Sequence, residues 1–127
     1  MVKNRYSKVL VIDDSKMDNM LIRIILKKIN FSDEIITCEN PMEAIKLLEA
    51  AELKGTGYPE VIFLDINMPI INGFQVLDRI QSNHSLFKNC KVYMLSSSDE
   101  EDDIHKASLY KNIIKYLQKP LNVNDLV

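Results

Sequence analysis

The stretch KVLVIDD, residues 8–14, runs four apolar side chains, Val9, Leu10, Val11 and Ile12, directly into two adjacent carboxylates, Asp13 and Asp14. The run lacks polar/apolar alternation, so it reads as a strand covered on both faces. The end of such a strand is a costly place for two like charges, and their presence asks for a compensating partner.

Working outward, the same kind of run returns at residues 35–38, 61–64, 92–95 and 113–117, each short and rich in Val, Ile or Leu. The intervening segments carry helical periodicity. Met17, Leu21, Ile24, Ile25 and Ile29 form one apolar stripe, and Ala44, Leu47, Leu48 and Ala51 form a second behind Pro41, which suits the first turn of a helix. Phe74, Leu77 and Ile80 mark a third helix; Ile104, Ala107 and Ser108 mark a fourth. Strand and helix in strict alternation predict an α/β fold, a parallel sheet with helices on both faces. Residues 52–59, with Gly55 and Gly57, read as a solvated connection. After Pro120 there is room for about two helical turns, so a fifth helix is expected short or cut off.

The bulk numbers narrow the function. A chain of 127 residues is expected to form one domain, and 46% hydrophobic with 27% charged residues suits a globular protein. A formal net charge of −2 argues against a nucleic-acid binder, which would normally show a basic face. No apolar run approaches the roughly 20 residues that cross a bilayer, and the first residues are too polar for a signal peptide. Cys38 and Cys90 stand far apart without zinc-ligand spacing and are expected to be reduced, half-buried strand residues. A cytoplasmic protein is the expectation.

In open parallel sheets the ligand crevice lies beyond the carboxyl ends of the strands. There the first strand ends in Asp13 and Asp14, the third in Asp65, the fourth in Ser96, and the fifth in Lys119 followed by Pro120. Two unit charges about 5 Å apart repel by roughly 3 kcal/mol at an effective dielectric near 20, so three ionised carboxylates cost on the order of 10 kcal/mol. A Mg²⁺ ion suits carboxylate and carbonyl oxygens and removes that cost; three Asp, one Lys and one divalent cation sum to zero. Taken singly, each residue has a plainer reading. Asp14 or Ser15 can cap the first helix, Asp65 can form a turn, and Ser98 with Glu101 makes a capping box before an acidic first turn at residues 99–103. Lys119 alone is a surface lysine. The coincidence of four strand ends on one rim lifts the set above those readings.

Together, "VIDDS", "FLDINMPIINGF", "MLSSS" and "YLQKP" resemble the receiver domain of two-component response regulators over essentially the whole chain. The resemblance implies a flavodoxin-like, doubly wound five-stranded parallel sheet in the order 2-1-3-4-5. It implies Asp65 as phosphoacceptor, assisted by Lys119 and Ser96, and Mg²⁺ (with Mn²⁺ as an alternative) on Asp14, Asp65 and the backbone carbonyl of Asn67, with Asp13 acting through water. It further implies a Ser96/Tyr116 switch, a cis bond before Pro120, and a surface of fourth helix, fifth strand and fifth helix that phosphorylation biases. The partners implied are a sensor histidine kinase or histidine phosphotransfer protein and a downstream protein, with no nucleic acid and no membrane; any homodimer would use the fourth-helix/fifth-strand face.

The pattern departs in places. Asn112 stands where receivers often carry Gly, and is expected to take the left-handed conformation there. Leu121 replaces a frequent aromatic, and Asn67 and Ser98 occupy positions that tune phosphoryl lifetime in the family. A dehalogenase-type phosphatase would want its nucleophile in D-x-D after the first strand. A degenerate, phosphorylation-independent receiver-like binding module would have lost one of Asp13, Asp14, Asp65 or Lys119. Three glycines make a flavin or dinucleotide loop improbable. His84 and His105 are expected to face solvent.

Overall fold

The computed structural model describes residues 4–97 and 101–126. Among them, five parallel strands alternate with four α-helices: β1 (Tyr6–Ile12), α1 (Lys16–Lys28), β2 (Ser32–Cys38), α2 (Pro41–Lys54), β3 (Val61–Asp65), α3 (Gly73–Asn83), β4 (Lys91–Ser96), α4 (Glu101–Ala107) and β5 (Ile113–Gln118). The sheet order is β2-β1-β3-β4-β5, as expected, with every neighbouring pair parallel. The reversal of winding at β1 and β3 puts the carboxyl ends of those two strands side by side, which is where a crevice forms.

The apolar runs of β1, β3 and β4 are buried because both faces of the sheet are covered there, whereas the edge strands β2 and β5 are only partly covered. Leu10, Ile12, Ile62 and Leu64 pack with α2 and α3 residues Ala44, Leu48, Phe74 and Leu77 on one face. Val9, Val11, Val61 and Phe63 point the other way, against Ile22 and Leu26 of α1. A ring cluster deepens that second layer: Phe63 stacks on Tyr93 at 4.8 Å between centroids, and Phe31 meets both edge-on. Each such fully buried side chain stabilises the fold by about 1.5–3 kcal/mol.

The apolar stripe of α1 is corrected by the structure. Asn19, Ile22 and Leu26 are the buried residues, with Ile25 and Ile29 partly covered, whereas Met17 (70% exposed), Leu21 and Ile24 face outward. Apolar residues occupy most of this helix circumference, so periodicity alone left its orientation open; the buried amide Asn19 fixes it by bonding the strand ends. In the second and third helices the expected residues do face the sheet, Leu47 being only partly covered. In α4 only Ala107 is buried; Ile104 and Ser108 are exposed.

Local chemistry sets the boundaries. Ser15 caps α1 by accepting from the Asp18 N–H, and Asn40 caps α2 ahead of Pro41. Asn72 and Gln75 form a capping box at α3, and Gly55 closes α2 in the left-handed region at φ 77°. The Ser98–Glu101 capping box lies outside the described residues. Asn112 is not left-handed; positive φ among non-glycine residues falls at Asn30 and Ile70. Asn112 instead donates its side-chain amide to the carbonyls of Phe87 and Cys90, tying the β4 entry to β5. After the cis Lys119–Pro120 bond the chain makes one 3-10 turn, Val123–Asp125, rather than a fifth α-helix. Cys38 is half-buried and Cys90 buried, both free, although Cys90 stands just before its strand rather than within it.

His84 is a further correction. It is buried at the C-cap of α3, and its Nδ1 lies 3.0 Å from the Tyr58 hydroxyl. The polar neighbours in its sequence hide a tertiary partner supplied by the loop before β3. His105 is exposed.

Candidate functional site

Two strand ends deliver three carboxylates to one rim. Asp65 closes β3, and Asp13 and Asp14 follow β1; an oxygen of each lies within 4.8 Å of the others. Asp13 is fully buried, and its Oδ1 accepts from the Ser15 N–H at 2.9 Å. Since Ser15 carries the helix cap, Asp14 stays exposed at the rim. The β3–α3 loop folds back tightly: the Ile66 carbonyl accepts from the N–H groups of both Met68 and Gly73. A Cβ on Gly73 would sit 2.6 Å from the Asp65 carbonyl oxygen, so only glycine lets α3 start this close to the acid.

Lys119 answers the charge. Its Nζ stands 2.6 Å from Asp13 Oδ2, 2.9 Å from Asp18 Oδ2 and 3.5 Å from Asp65 Oδ1. The N–H of Lys119 donates to the Ser96 carbonyl at 2.7 Å, which anchors the lysine beside the end of β4. Ser96 is fully buried, and Tyr116 is half-buried in β5 opposite Met94. Asn67 is exposed in the loop two residues past Asp65.

Electrostatics follow from this packing. Burial and the neighbouring Asp13 charge push the Asp65 carboxyl up to about 7, against the pull of Lys119. Burial also raises Asp13, offset in part by Lys119 and by the Ser15 N–H. Burial works against the Lys119 ammonium, yet its bonds to Asp13 and Asp18 and the charges of Asp13 and Asp65 hold it above the usual lysine range. One lysine does not neutralise the cluster. Asp13 Oδ2 is buried and meets Lys119 as an ion pair at 2.6 Å. An all-carboxylate donor set suits a hard divalent cation that keeps water ligands.

The sequence profile of the response regulator receiver domain matches residues 9–127. The chain belongs to that family. Response regulator Rcp1 of Synechocystis is 34% identical over 119 residues, spanning 93% of this chain and 80% of Rcp1. The Mn²⁺-bound crystal structure of Rcp1 superposes with a TM-score of 0.74 at 32% identity, covering 94% of this chain and 86% of that one. A two-component response regulator from Cytophaga hutchinsonii gives a TM-score of 0.89 at 33% identity, over 97% of this chain and 92% of the other. A phosphorylated cyanobacterial phytochrome response regulator, RcpA, gives 0.75 at 32% identity, covering 95% and 86%.

The receiver thus brings together Asp13, Asp14, Asp65 and Lys119 as the strand-end argument required. Two participants escaped it. Asp18 reaches Lys119 from the first turn of α1, and the signal was its spacing of one helical turn after Asp14. Asn19 is buried and donates to the carbonyls of Asp13 and Cys38, bridging the ends of β1 and β2. A lone Asn inside an apolar helix carries no sequence signal that separates a buried bridge from a surface residue.

Proposed function

We propose that this receiver accepts a phosphoryl group on Asp65 from a phosphohistidine and reports it through its protein-binding surface. The observation that carries this is a strand-end carboxylate, 6% exposed, held within reach of two further carboxylates and 3.5 Å from a lysine ammonium.

Asp14, Asp65 and the carbonyl of Asn67 would hold Mg²⁺ or Mn²⁺, with Asp13 acting through a water. When bound, the ion supplies positive charge that offsets the incoming phosphoryl oxygens. Asp65 attacks phosphorus through a carboxylate oxygen, the P–N bond to the donor imidazole breaks, and the imidazole leaves with the electron pair. Lys119 pairs with a phosphoryl oxygen and Ser96 hydrogen-bonds another. Water later attacks the same phosphorus and returns the Asp65 carboxylate and inorganic phosphate. The switch works by replacing one carboxylate charge with a larger one that draws the Ser96 side, into whose place Tyr116 moves.

The 127 residues are read as one receiver unit acting through protein contacts in the cytoplasm; among the described residues no helix is long and apolar enough to cross a membrane. The donor, a histidine kinase or a histidine phosphotransfer protein, must reach Asp65 at this rim. The exposed apolar residues Met17, Met20, Leu21 and Ile24 of the adjoining helix give it a surface to bury.

The test is intact-mass spectrometry after incubation with acetyl phosphate and Mg²⁺ at neutral pH. A single hydrolysable phosphoryl adduct, absent with EDTA and in Asp65→Asn, is expected. An adduct that persists in Asp65→Asn moves the acceptor elsewhere, and no adduct in the native chain removes the reading.

A further inference from the structure

The site contains one more acid than the expected set. Lys119 Nζ lies 2.9 Å from Asp18 Oδ2 and donates a hydrogen bond to it, while its distance to Asp65 Oδ1 is 3.5 Å. The ammonium is thus drawn toward α1 and Asp13 rather than toward the acid that would carry a phosphoryl group. Asp18 is the more solvent-open partner, 35% exposed, and it sits at the mouth of the rim. A phosphoryl oxygen on Asp65 has to recruit the same ammonium, which has only three N–H donors to share. Asp18 also shifts the charge sum. Four carboxylates, one lysine and one divalent cation leave a surplus of one negative charge, which opposes an arriving anion.

Resting on the aspartyl-phosphate reading above, we propose that Asp18 is a positioning residue that holds Lys119 in the resting state and competes with the phosphoryl group for it. Asp18 acts as a brake: it lowers the affinity of the site for a phosphoryl-like anion, and its pairing with Lys119 is released when the anion arrives. The contact also ties the first turn of α1 to the end of β5, so its release loosens two elements that meet at the rim. The same surplus charge attracts the cation, so Asp18 strengthens metal binding while weakening anion binding. Those opposite signs separate this role from a structural one.

The experiment measures half-saturation by beryllofluoride, a phosphoryl stand-in, using ¹⁹F NMR at saturating Mg²⁺, in the native chain, Asp18→Asn and Asp18→Glu. Mg²⁺ affinity without beryllofluoride is measured by calorimetry in parallel. Asparagine is isosteric and leaves the Ser15 cap, which uses the backbone N–H of residue 18, in place. The expected result is beryllofluoride half-saturation lowered roughly two- to fivefold in Asp18→Asn, the scale of one partly exposed ion pair, with Mg²⁺ affinity weakened and Asp18→Glu close to native. In a Lys119→Ala background the Asp18→Asn change should leave acetyl phosphate labelling rates unaltered, because the lysine is the shared partner. Unchanged half-saturation in Asp18→Asn overturns the proposal. Raised half-saturation also overturns it, by making Asp18 an aid to Lys119 rather than its rival, and an equal effect without Lys119 would reduce Asp18 to a through-space charge. A native chain silent to both beryllofluoride and acetyl phosphate removes the underlying reading as well, whereas a responsive native chain matched by Asp18→Asn removes the brake alone.

Discussion

Asp65→Asn is expected to stabilise the metal-free protein at neutral and mildly alkaline pH, even though it removes the proposed acceptor. Burial and the Asp13 charge move the Asp65 carboxyl from its ordinary 3.8 up to about 7. Between those values the folded chain binds more protons than the unfolded chain, so stability falls as pH rises through the window and stays low above it. At 1.36 kcal/mol per tenfold change in the equilibrium, the ceiling is roughly 4 kcal/mol, and a side chain 6% exposed gains little relief from solvent. Asparagine removes the charge but brings an amide that must find partners, so the net gain should be about 1–3 kcal/mol at pH 8. Urea unfolding in EDTA reads it as a higher midpoint at unchanged slope. At pH 5 most of the gain should vanish, because the native carboxyl is then protonated in the fold. Saturating Mg²⁺ at pH 8 should erase it as well, since the cation compensates the native cluster while the variant has lost a ligand. A midpoint at pH 8 in EDTA no higher than that of the native chain would refute the claim that Asp65 is an electrostatically strained acid.

Three further perturbations test the frame around the site. Gly73→Ala forces a Cβ against the Asp65 carbonyl and the Ile66 backbone, so it should cost about 2 kcal/mol and weaken Mg²⁺ binding by calorimetry; intact Mg²⁺ binding would show that this approach does not position Asp65. Ile70 is 91% exposed and left-handed at φ 73°, an expensive conformation for a β-branched residue. Ile70→Asn should therefore raise stability by about 1 kcal/mol, seen as roughly 3 °C in a thermal melt, and no rise would mean the loop relaxes without it. Tyr58→Phe leaves the buried His84 Nδ1 without its hydroxyl partner and should cost about 1–2 kcal/mol in urea, whereas an unchanged midpoint would assign His84 another partner.

The sequence by itself determined the fold and the cluster. Strands covered on both faces must be continuous apolar runs, and five short apolar runs separated by helices leave a parallel sheet whose carboxyl ends share one side. Asp13, Asp14, Asp65 and Lys119 are therefore legible as a set in the sequence. The tertiary structure decided what depends on rotation and on distant partners. Helix α1 is apolar around most of its girth, so Met17, Leu21 and Ile24 looked as fit for the core as Ile22 and Leu26 do in place. Its rotation is set by Asn19, whose amide satisfies two strand-end carbonyls, and by Ser15, whose cap leaves Asp14 at the rim. Asp18 and Lys119 are 101 residues apart and meet only because α1 and the end of β5 converge on the same rim. His84 looked exposed until Tyr58 arrived from another loop, and Asn112 proved to be a bridge between carbonyls rather than a left-handed turn residue. Local periodicity records how much apolar surface a segment must bury; which side it turns inward, and which charges then share a proton or a lysine, is an energy of the assembled sheet.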